Sequence, residues 1–338
     1  MNKKLIAAAV AAGLVMPGLA MADATVYGKL NVGISQIDTD AATNSSALTA
    51  NSHDSRFGIK GEEDLGGGLK AYFKLETEID VDDGGAVTWA RDKYVGLKGG
   101  WGAVQVGEFN TAYKNVFGKM DIFADSIGDV TGSGSHGELD DRFINMLAYK
   151  NKFGSFSIDL NYAFAESDLD NVDDGYAVGL GWSGGGFMVT GGIVNMDSNQ
   201  LGTAATQYDE GTRVGFQWKG GMHKVNALYE MVDKLAANAD YDVVTAQYAL
   251  TMGNNMFGLS YTAMSADAAN SDTTQMTVGW HHMFSKKTKL AVAYTTVDND
   301  ANVANSGRIL NTDSGTNLNP VPNGGDPSQL GVMVTHSF

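Results

Sequence analysis

The segment GLGWSG, residues 179–184, has the Gly-x-Gly-x-x-Gly spacing of dinucleotide-binding loops. Such a loop binds a pyrophosphate only where it leads into the N-terminus of a helix, whose backbone N–H groups face the phosphates. Here more glycine and then FMVTGG follow, and that run does not predict a helix. We therefore expect no dinucleotide at this segment.

Residue types that commonly bind metals occur in two further places. His281 and His282 are adjacent, and neighbouring residues of a strand point to opposite faces, so we do not expect them to chelate one ion. DNDAN, residues 298–302, begins like a calcium loop but lacks the glycine and the later glutamate of such a loop. It is compatible with a weak divalent contact or with a solvated acidic loop. We expect no catalytic residues, no metal, no cofactor and no enzymatic activity.

Charge and composition exclude several classes of protein. The 338 residues carry a formal net charge of -16 and no cysteine, so neither a disulfide scaffold nor the basic surface of a nucleic-acid-binding protein is expected. The chain has 43 Gly and four Pro, and its mean hydropathy is -0.16. A membrane β-barrel fits these values, because strands that are apolar on one face only average to near zero.

The N-terminal segment reads as a targeting signal. MNKK precedes an apolar run over residues 5–16, and Ala20 and Ala22 form the small-residue pattern before a cleavage site. This predicts a signal peptide over residues 1–22 and a mature chain of residues 23–338. Removing two Lys and no acidic residue would change the formal charge from -16 to -18. No later run reaches 18 apolar residues, so we expect no transmembrane helix.

Alternating polar and apolar residues indicate β-strands through most of the chain. Examples are TVYGKLNVGIS (25–35), LKAYFKLETEID (69–80), HKVNALYEM (223–231) and the final GVMVTHSF (331–338). In RFINMLAYK the alternation fails, because Ile144 and Met146 share a face with Arg142 while Asn145 points the other way. The alternation alone would also fit a soluble β-sandwich. The lengths of the connections between strands are needed to distinguish a sandwich from a membrane barrel.

Short and long connections take turns along the chain. The short turns lie near residues 98–102, 151–155, 183–186, 219–222, 253–256 and 285–288. The long, mostly acidic stretches lie near residues 38–52, 80–88, 110–140, 166–174, 197–210, 233–240, 266–272 and 298–327. This rhythm predicts an antiparallel up-and-down barrel of about 16 strands, each about ten residues long. Aromatic residues beside the short turns predict an interfacial girdle, namely Trp101, Phe153, Phe156, Trp182, Trp218, Phe257 and Phe284.

Four stretches of the chain have a recognisable combination of motifs, namely VYGKLNVG, SRFGIKGEEDLGGGLKAYFKLETE, ARDKYVGLKGGWGAVQVGEF and the terminal VTHSF. Together they resemble the trimeric general porins of Gram-negative outer membranes. The resemblance implies a 16-stranded barrel, a homotrimer in the outer membrane, and contact with lipid and lipopolysaccharide. It also implies that the barrel-assembly machinery reads Phe338 as an assembly signal. The implied function is a water-filled passive channel for ions and small hydrophilic solutes.

The resemblance further implies that the long third loop narrows the pore. Its carboxylates would be Asp121 and Asp125. The basic wall residues opposite them would be Lys29, Arg56, Arg91 and Arg142. Alternation independently places the first three of these basic residues on the lumenal face, with Arg91 judged from Tyr94. Many members of that family carry Arg after the glycine of the fifth strand, whereas this chain has Glu108. The positive charge of the family at this position is therefore not expected here.

We expect mild ion selectivity with a slight preference for cations, because the acidic loops and the basic wall oppose each other. Three alternatives stay open at this point. They are a substrate-selective channel of the same architecture, an outer-membrane barrel enzyme, and an exported soluble β-sandwich that binds a ligand.

Overall fold

The computed structural model describes residues 24–82, 87, 89–131, 139–165, 174–197, 208–234, 239–306 and 318–338. The predicted signal peptide, residues 1–22, lies outside the described residues. Within the described residues the regular structure is β-strand apart from one short helix, which confirms the all-β prediction. No helix in this part of the chain is long and apolar enough to cross a membrane.

All strands belong to one sheet with antiparallel neighbours. In chain order they are β1 (Thr25–Asp38), β2 (Ser46–Ser52), β3 (Arg56–Gly66), β4 (Leu69–Glu78), β5 (Lys93–Gly99), β6 (Gly102–Asn110), β7 (Arg142–Phe153), β8 (Phe156–Ala163), β9 (Gly175–Gly184), β10 (Phe187–Asp197), β11 (Tyr208–Gly220), β12 (His223–Lys234), β13 (Tyr241–Met252), β14 (Asn255–Ala266), β15 (Thr273–Met283), β16 (Thr288–Asn299) and β17 (Ser328–Ser337). The helix is α1 (Lys114–Phe117).

Strand β1 closes the sheet into a barrel. It pairs with β17 on one edge, and on the other its residues 25–29 pair with β3 and its residues 32–38 with β2. β2 and β3 are therefore two halves of one wall strand, interrupted where Asp54 has a φ of +52°. Counted in this way the barrel has 16 strands, as predicted. The prediction of a loop through residues 38–52 is wrong for β2, because that segment continues the hydrogen-bonded ladder of β1.

Side chains alternate between the lumen and the outside of the barrel, as strand geometry requires. Leu75 is 45% exposed and its neighbour Glu76 only 4%, and Tyr229 is 43% exposed where Glu230 is 1%. The outward face is thus apolar and the inward face polar, which is the distribution of a barrel surrounded by lipid. The predicted division of faces in β4 and β12 is confirmed.

Aromatic residues ring the outside at the end that carries the short turns. The exposed members are Trp101, Phe153, Phe156, Trp182, Phe187, Phe216, Phe257, Phe284 and Phe338. The outward Tyr162 and Tyr176 lie near the long loops, whereas the outward Tyr229, Tyr261 and Tyr294 lie near the middle of their strands. The aromatic ring at the short turns has the position of one of the two girdles that bound the apolar band of membrane β-barrels.

A β-bulge explains the irregular pattern in β7. Gly107 of β6 pairs with Met146, but Phe109 pairs with Phe143, so β7 has one extra residue in this interval. Asn145 has a φ of +50°, as the extra residue of a bulge often has. The bulge turns both Phe143 and Met146 inward, where they are fully buried.

Candidate functional site

The connection between β6 and β7 enters the barrel. We call residues 111–141 L3, and its described part is residues 111–131 and 139–141. L3 starts with α1, whose Val116 and Phe117 are buried. Small residues on the inner wall make room for it, since a Cβ atom on Gly192 of β10 would lie 2.6 Å from the Val116 side chain. Glycine therefore permits the close approach of α1 to the wall.

Beyond α1, L3 follows the inner wall toward β17. Phe123 packs with Ala249 and Met256, and Ile127 packs with Ala291, Ala293 and Met333. Phe123 and Ile127 are fully buried, and burial of side chains of this size contributes about 1.5–3 kcal/mol each. L3 is thus packed against β13 to β17, and the open side of the lumen lies toward β3 to β8.

The tip of L3 contacts the wall at Asp125. Its Oδ2 lies 2.5 Å from Nζ of Lys29 and 3.0 Å from Nη2 of Arg56. Asn31 donates from Nδ2 to the Asp125 carbonyl oxygen at 2.5 Å. Burial raises the pKa of Asp125, but Arg56 and Lys29 outweigh it and hold the pKa below its usual range. The structure therefore brings Asp125, Lys29 and Arg56 together in direct contact, without an open gap between them.

Asp121 lies elsewhere, among buried groups of L3 and β13. Gln247 donates to its Oδ1 at 2.6 Å, and the backbone N–H groups of Phe123 and Val130 donate to its two oxygens. Only 8% of Asp121 is exposed. The structure does not place Asp121 beside the four basic wall residues.

Arg91 and Arg142 belong to a network of alternating charges on the wall. Arg91 contacts Glu76 at 2.7 Å, and Asp54 and Glu78 at 3.3 Å each. Arg142 contacts Asp92 at 3.1 Å. Lys74 joins the two ends, since its Nζ lies 2.8 Å from Asp92 and 3.1 Å from Glu76. We call these seven residues the wall network.

The pKa values of the loop members of this network follow from their partners. Burial raises the pKa of Asp92, but Lys74 and Arg142 outweigh it and the net shift is downward. Burial lowers the pKa of Arg91, but Asp54 and Glu76 outweigh it and the net shift is upward. Both residues are therefore charged at neutral pH.

Arg91 reaches the lumen for a different reason than alternation. It precedes β5, and Tyr94 itself faces inward, edge-on to Tyr72 and Phe109 at 5.9 and 5.6 Å. Alternation from the inward Tyr94 would place Arg91 outward, so the prediction of an inward Arg91 from its opposition to Tyr94 is wrong in its basis. Arg91 is held on the lumenal side by its contacts with Glu76 and Asp54.

The base of L3 contains a fully buried ionic cluster. Arg213 of β11 contacts Asp140 of L3 at 2.5 Å and Glu230 of β12 at 2.7 Å. Tyr113 of L3 donates its hydroxyl to Glu230 at 2.6 Å, and the Arg213 guanidinium lies 3.8 Å from the centre of the Tyr113 ring. Both ends of L3 thus bind the same arginine. Sequence reasoning missed this cluster, because its four members lie on three different segments.

A cavity of about 880 Å³ lies between α1 and the short turns on the open side of the lumen. We call it the vestibule. Its charged lining residues are Lys70, Lys98, Lys119, Lys150, Lys152 and Asp159. Among the described residues no group of three or more His, Cys, Asp or Glu side chains is arranged to hold a metal ion.

Known proteins resemble this chain in sequence and in structure. A family model described as "Gram-negative porin" matches residues 7–302. The chain belongs to the Gram-negative porin family. This porin is 31% identical over 313 residues to outer membrane porin protein 32 of Delftia acidovorans, covering 86% of this chain and 88% of that protein. It is 28% identical over 315 residues to major outer membrane protein P.IB of Neisseria meningitidis serogroup B, covering 87% and 92%.

A solved structure has the same fold as this porin. The anion-selective porin from Comamonas acidovorans matches with a TM-score of 0.81 at 22% identity, covering 94% of this chain and all of that one. The protein is therefore an outer-membrane porin of a Gram-negative bacterium and forms a diffusion channel. The soluble sandwich is not supported. In outer-membrane barrels the short turns face the periplasm and the long loops face outward.

Glu108 of the porin lies outside the lumen. It pairs with Lys93 across β5 and β6, and its Oε2 lies 2.5 Å from Nζ of Lys93. Lys93 lies two residues before the outward Val95, and Glu108 lies two residues after the outward Val106. Residues two apart in a strand share a face, so both Lys93 and Glu108 point outward. The pair therefore faces away from the pore and adds no charge to the conduction path.

Proposed function

We propose that solutes pass through the opening between L3 and the wall formed by β3 to β8. The observation that carries this proposal is the packing of L3 against β13 to β17, together with the contact of its tip with Lys29 and Arg56. Asp125, Lys29, Arg56 and the wall network then line the narrowest region. Asp121 acts within L3, where it holds the loop conformation. The channel sieves solutes by the width of this opening.

The ion-paired charges at this opening balance. Lys29, Arg56, Lys74, Arg91 and Arg142 supply five positive charges, and Asp54, Glu76, Glu78, Asp92 and Asp125 supply five negative ones. We therefore propose weak ion selectivity. Its sign depends on the vestibule, where five lysines and one aspartate lie inside low-dielectric walls. The acidic outer loops influence ions at the opening less, because salt screens the charges of distant groups over about 8 Å.

We accordingly propose a weak preference for anions, in place of the slight cation preference expected from net charge. The porin of Comamonas acidovorans, which shares this fold, is anion-selective, in agreement with this sign. The porin is further proposed to assemble as a homotrimer in contact with lipopolysaccharide, after export by the signal peptide and insertion by the barrel-assembly machinery. It has no catalytic activity and no cofactor in this proposal.

Swelling of proteoliposomes tests the channel function. The rate should fall steadily from arabinose to glucose to sucrose to raffinose, because only size discriminates among neutral sugars in a sieve. A larger sugar that enters faster than a smaller one would instead indicate a substrate-selective channel. Swelling no faster than in liposomes without protein would contradict a diffusion channel. Native mass spectrometry in detergent should give three times the protomer mass, and a monomer would refute the trimer.

A further inference from the structure

The lysines of the vestibule form a row across four neighbouring strands. Lys70 of β4 pairs with Lys98 of β5, Lys98 with Ala103 of β6, and Ala103 with Lys150 of β7. We call Lys70, Lys98 and Lys150 the lysine row. Because adjacent strands are about 4.8 Å apart, the row places three ammonium groups within about 15 Å along one side of the cavity.

The acidic partners of the row are too few to neutralise the cavity. Glu62 contacts both Lys70 and Lys98, and Asp159 contacts Lys150 at 3.1 Å. Lys119 and Lys152 also line the cavity, and both are exposed. Asp64 lies directly opposite Lys70. With Glu62, Asp64 and Asp159 counted against the five lysines, the vestibule keeps a formal positive charge of about two.

The row places like charges side by side. Lys70 and Lys98 lie directly opposite each other on neighbouring strands, an arrangement that is unfavourable without an anion nearby, and the two lysines share the carboxylate of Glu62. A further anion would therefore be attracted to the row. The cavity also has the volume of a small-molecule site, about 300–1,000 Å³.

We propose that the vestibule is a binding site for polyvalent anions of the carboxylate or phosphate class, reached from the periplasmic side. A ligand with two or three negative charges would match or exceed the excess of lysines. Ammonium groups form strong charge-assisted hydrogen bonds with carboxylate and phosphate oxygens. The inference rests on the proposed function in one respect, since it requires a water-filled lumen that is open at the short turns.

Access differs between the two ends of the pore. Gly68, Gly99 and Gly100 border the vestibule at the short turns, so a periplasmic anion meets the lysines first. An anion from outside must pass the acidic loops and then the opening lined by the wall network. The site is therefore expected to bind anions more readily from the periplasmic side.

Single-channel recording with citrate as the probe tests the site. The chain has no cysteine, so Ala269→Cys in an exposed outer loop gives one thiol, and its reaction with a bulky maleimide reports the orientation of each inserted channel. Periplasmic citrate should block current at concentrations about tenfold lower than citrate added outside. Lys98→Gln with Lys150→Gln should raise the blocking concentration about tenfold, equivalent to about 1.4 kcal/mol.

Lys286→Gln with Lys287→Gln is the matched control, because these exposed lysines lie in a short turn and do not line the cavity. Citrate should block this control variant at the same concentration as the wild type. Equal block from both sides, or equal block of the wild type and the Lys98 and Lys150 variant, would overturn the site. Tripolyphosphate in place of citrate distinguishes phosphate from carboxylate ligands, and a stronger block by either is consistent with a polyvalent-anion site. If the wild type conducts KCl normally but citrate does not block it, the anion site is refuted and the channel function is not. If the wild type does not conduct KCl, the proposed channel function itself is refuted.

Discussion

Asp125 at the tip of L3 contacts Lys29 of β1 through a 2.5 Å ion pair. The same carboxylate oxygen accepts from Arg56 of β3 at 3.0 Å. L3 thus follows the inner wall as far as β1 and β3, next to β17, and its tip is held there by these two ion pairs. The proposed conduction path runs along the part of the wall that L3 leaves uncovered.

Arg213 should control the stability of L3. Arg213→Met leaves Asp140 and Glu230 buried without their cation, and breaking a buried ion pair costs about 3–5 kcal/mol. We expect more frequent closures in single-channel records and earlier unfolding on heating. Tyr113→Phe, which removes only the hydrogen bond to Glu230, should cost about 1 kcal/mol. Unchanged closures and stability for Arg213→Met would show that the cluster does not hold L3.

The two faces of β4 should respond differently to charge. Leu75→Arg places a cation on the outward face and should cost about 2–4 kcal/mol if the site lies near the membrane midplane. Lys74→Arg keeps the lumenal charge beside Asp92 and Glu76 and should cost little. Urea unfolding from lipid vesicles measures both. Equal losses at the two neighbouring positions would be incompatible with the assigned faces.

Much of the barrel could be predicted from sequence, because alternation and turn chemistry are local properties. LKAYFKLETE shows it, since both the outward Leu75 and the inward Glu76 follow from period two. The break at Asp54 and the bulge at Asn145 could not be predicted. Each depends on the register with a neighbouring strand, which the alternation of one strand does not specify.

The candidate site was less accessible to sequence reasoning. The resemblance placed Asp121 and Asp125 on the same loop, yet only Asp125 contacts the basic wall, because the path of L3 is set by the packing of Phe123 and Ile127. Glu76 and Asp92 surround the wall arginines and were not singled out. Alternation in β4 predicts that Glu76 points inward. It does not predict that Glu76 and Asp92 pair with arginines from other segments.

Phe338 should matter for assembly. Its backbone exchanges hydrogen bonds of 3.1 and 3.2 Å with Gly28, and the residue is 45% exposed in the aromatic girdle. Deleting Phe338 should lower the amount of porin in the outer membrane while export continues. Phe284→Ala, which removes another exposed girdle aromatic, should have little effect. Heat-modifiable porin quantified in outer-membrane fractions reports the difference, and full assembly of the truncated chain would count against the role.

The contact at the L3 tip should resist mild acid. The pKa of Asp125 is lowered in the folded protein, so its ion pairs contribute stability above the ordinary Asp value of about 4 and are lost only as the pH falls through the lower, folded value. Closures that depend on this contact should therefore begin below about pH 4. The Asp125→Asn channel should close with the same frequency above and below about pH 4, because it has no carboxyl group at this position to titrate. A wild-type transition near pH 6 would contradict this assignment.

The reversal potential under a KCl gradient tests most directly whether the L3 tip lines the conduction path. Asp125→Asn keeps the side-chain size and leaves Lys29 and Arg56 without their anion, whereas Asp121→Asn changes a buried carboxylate that bonds to Gln247. One unit charge about 8 Å away in water changes the energies of an anion and a cation by about 0.5 kcal/mol each, in opposite directions. Asp125→Asn should therefore raise the anion-to-cation permeability ratio about fivefold at low ionic strength, where screening is weak. Asp121→Asn should change it much less. Equal shifts for the two variants, or no shift for Asp125→Asn, would contradict the account.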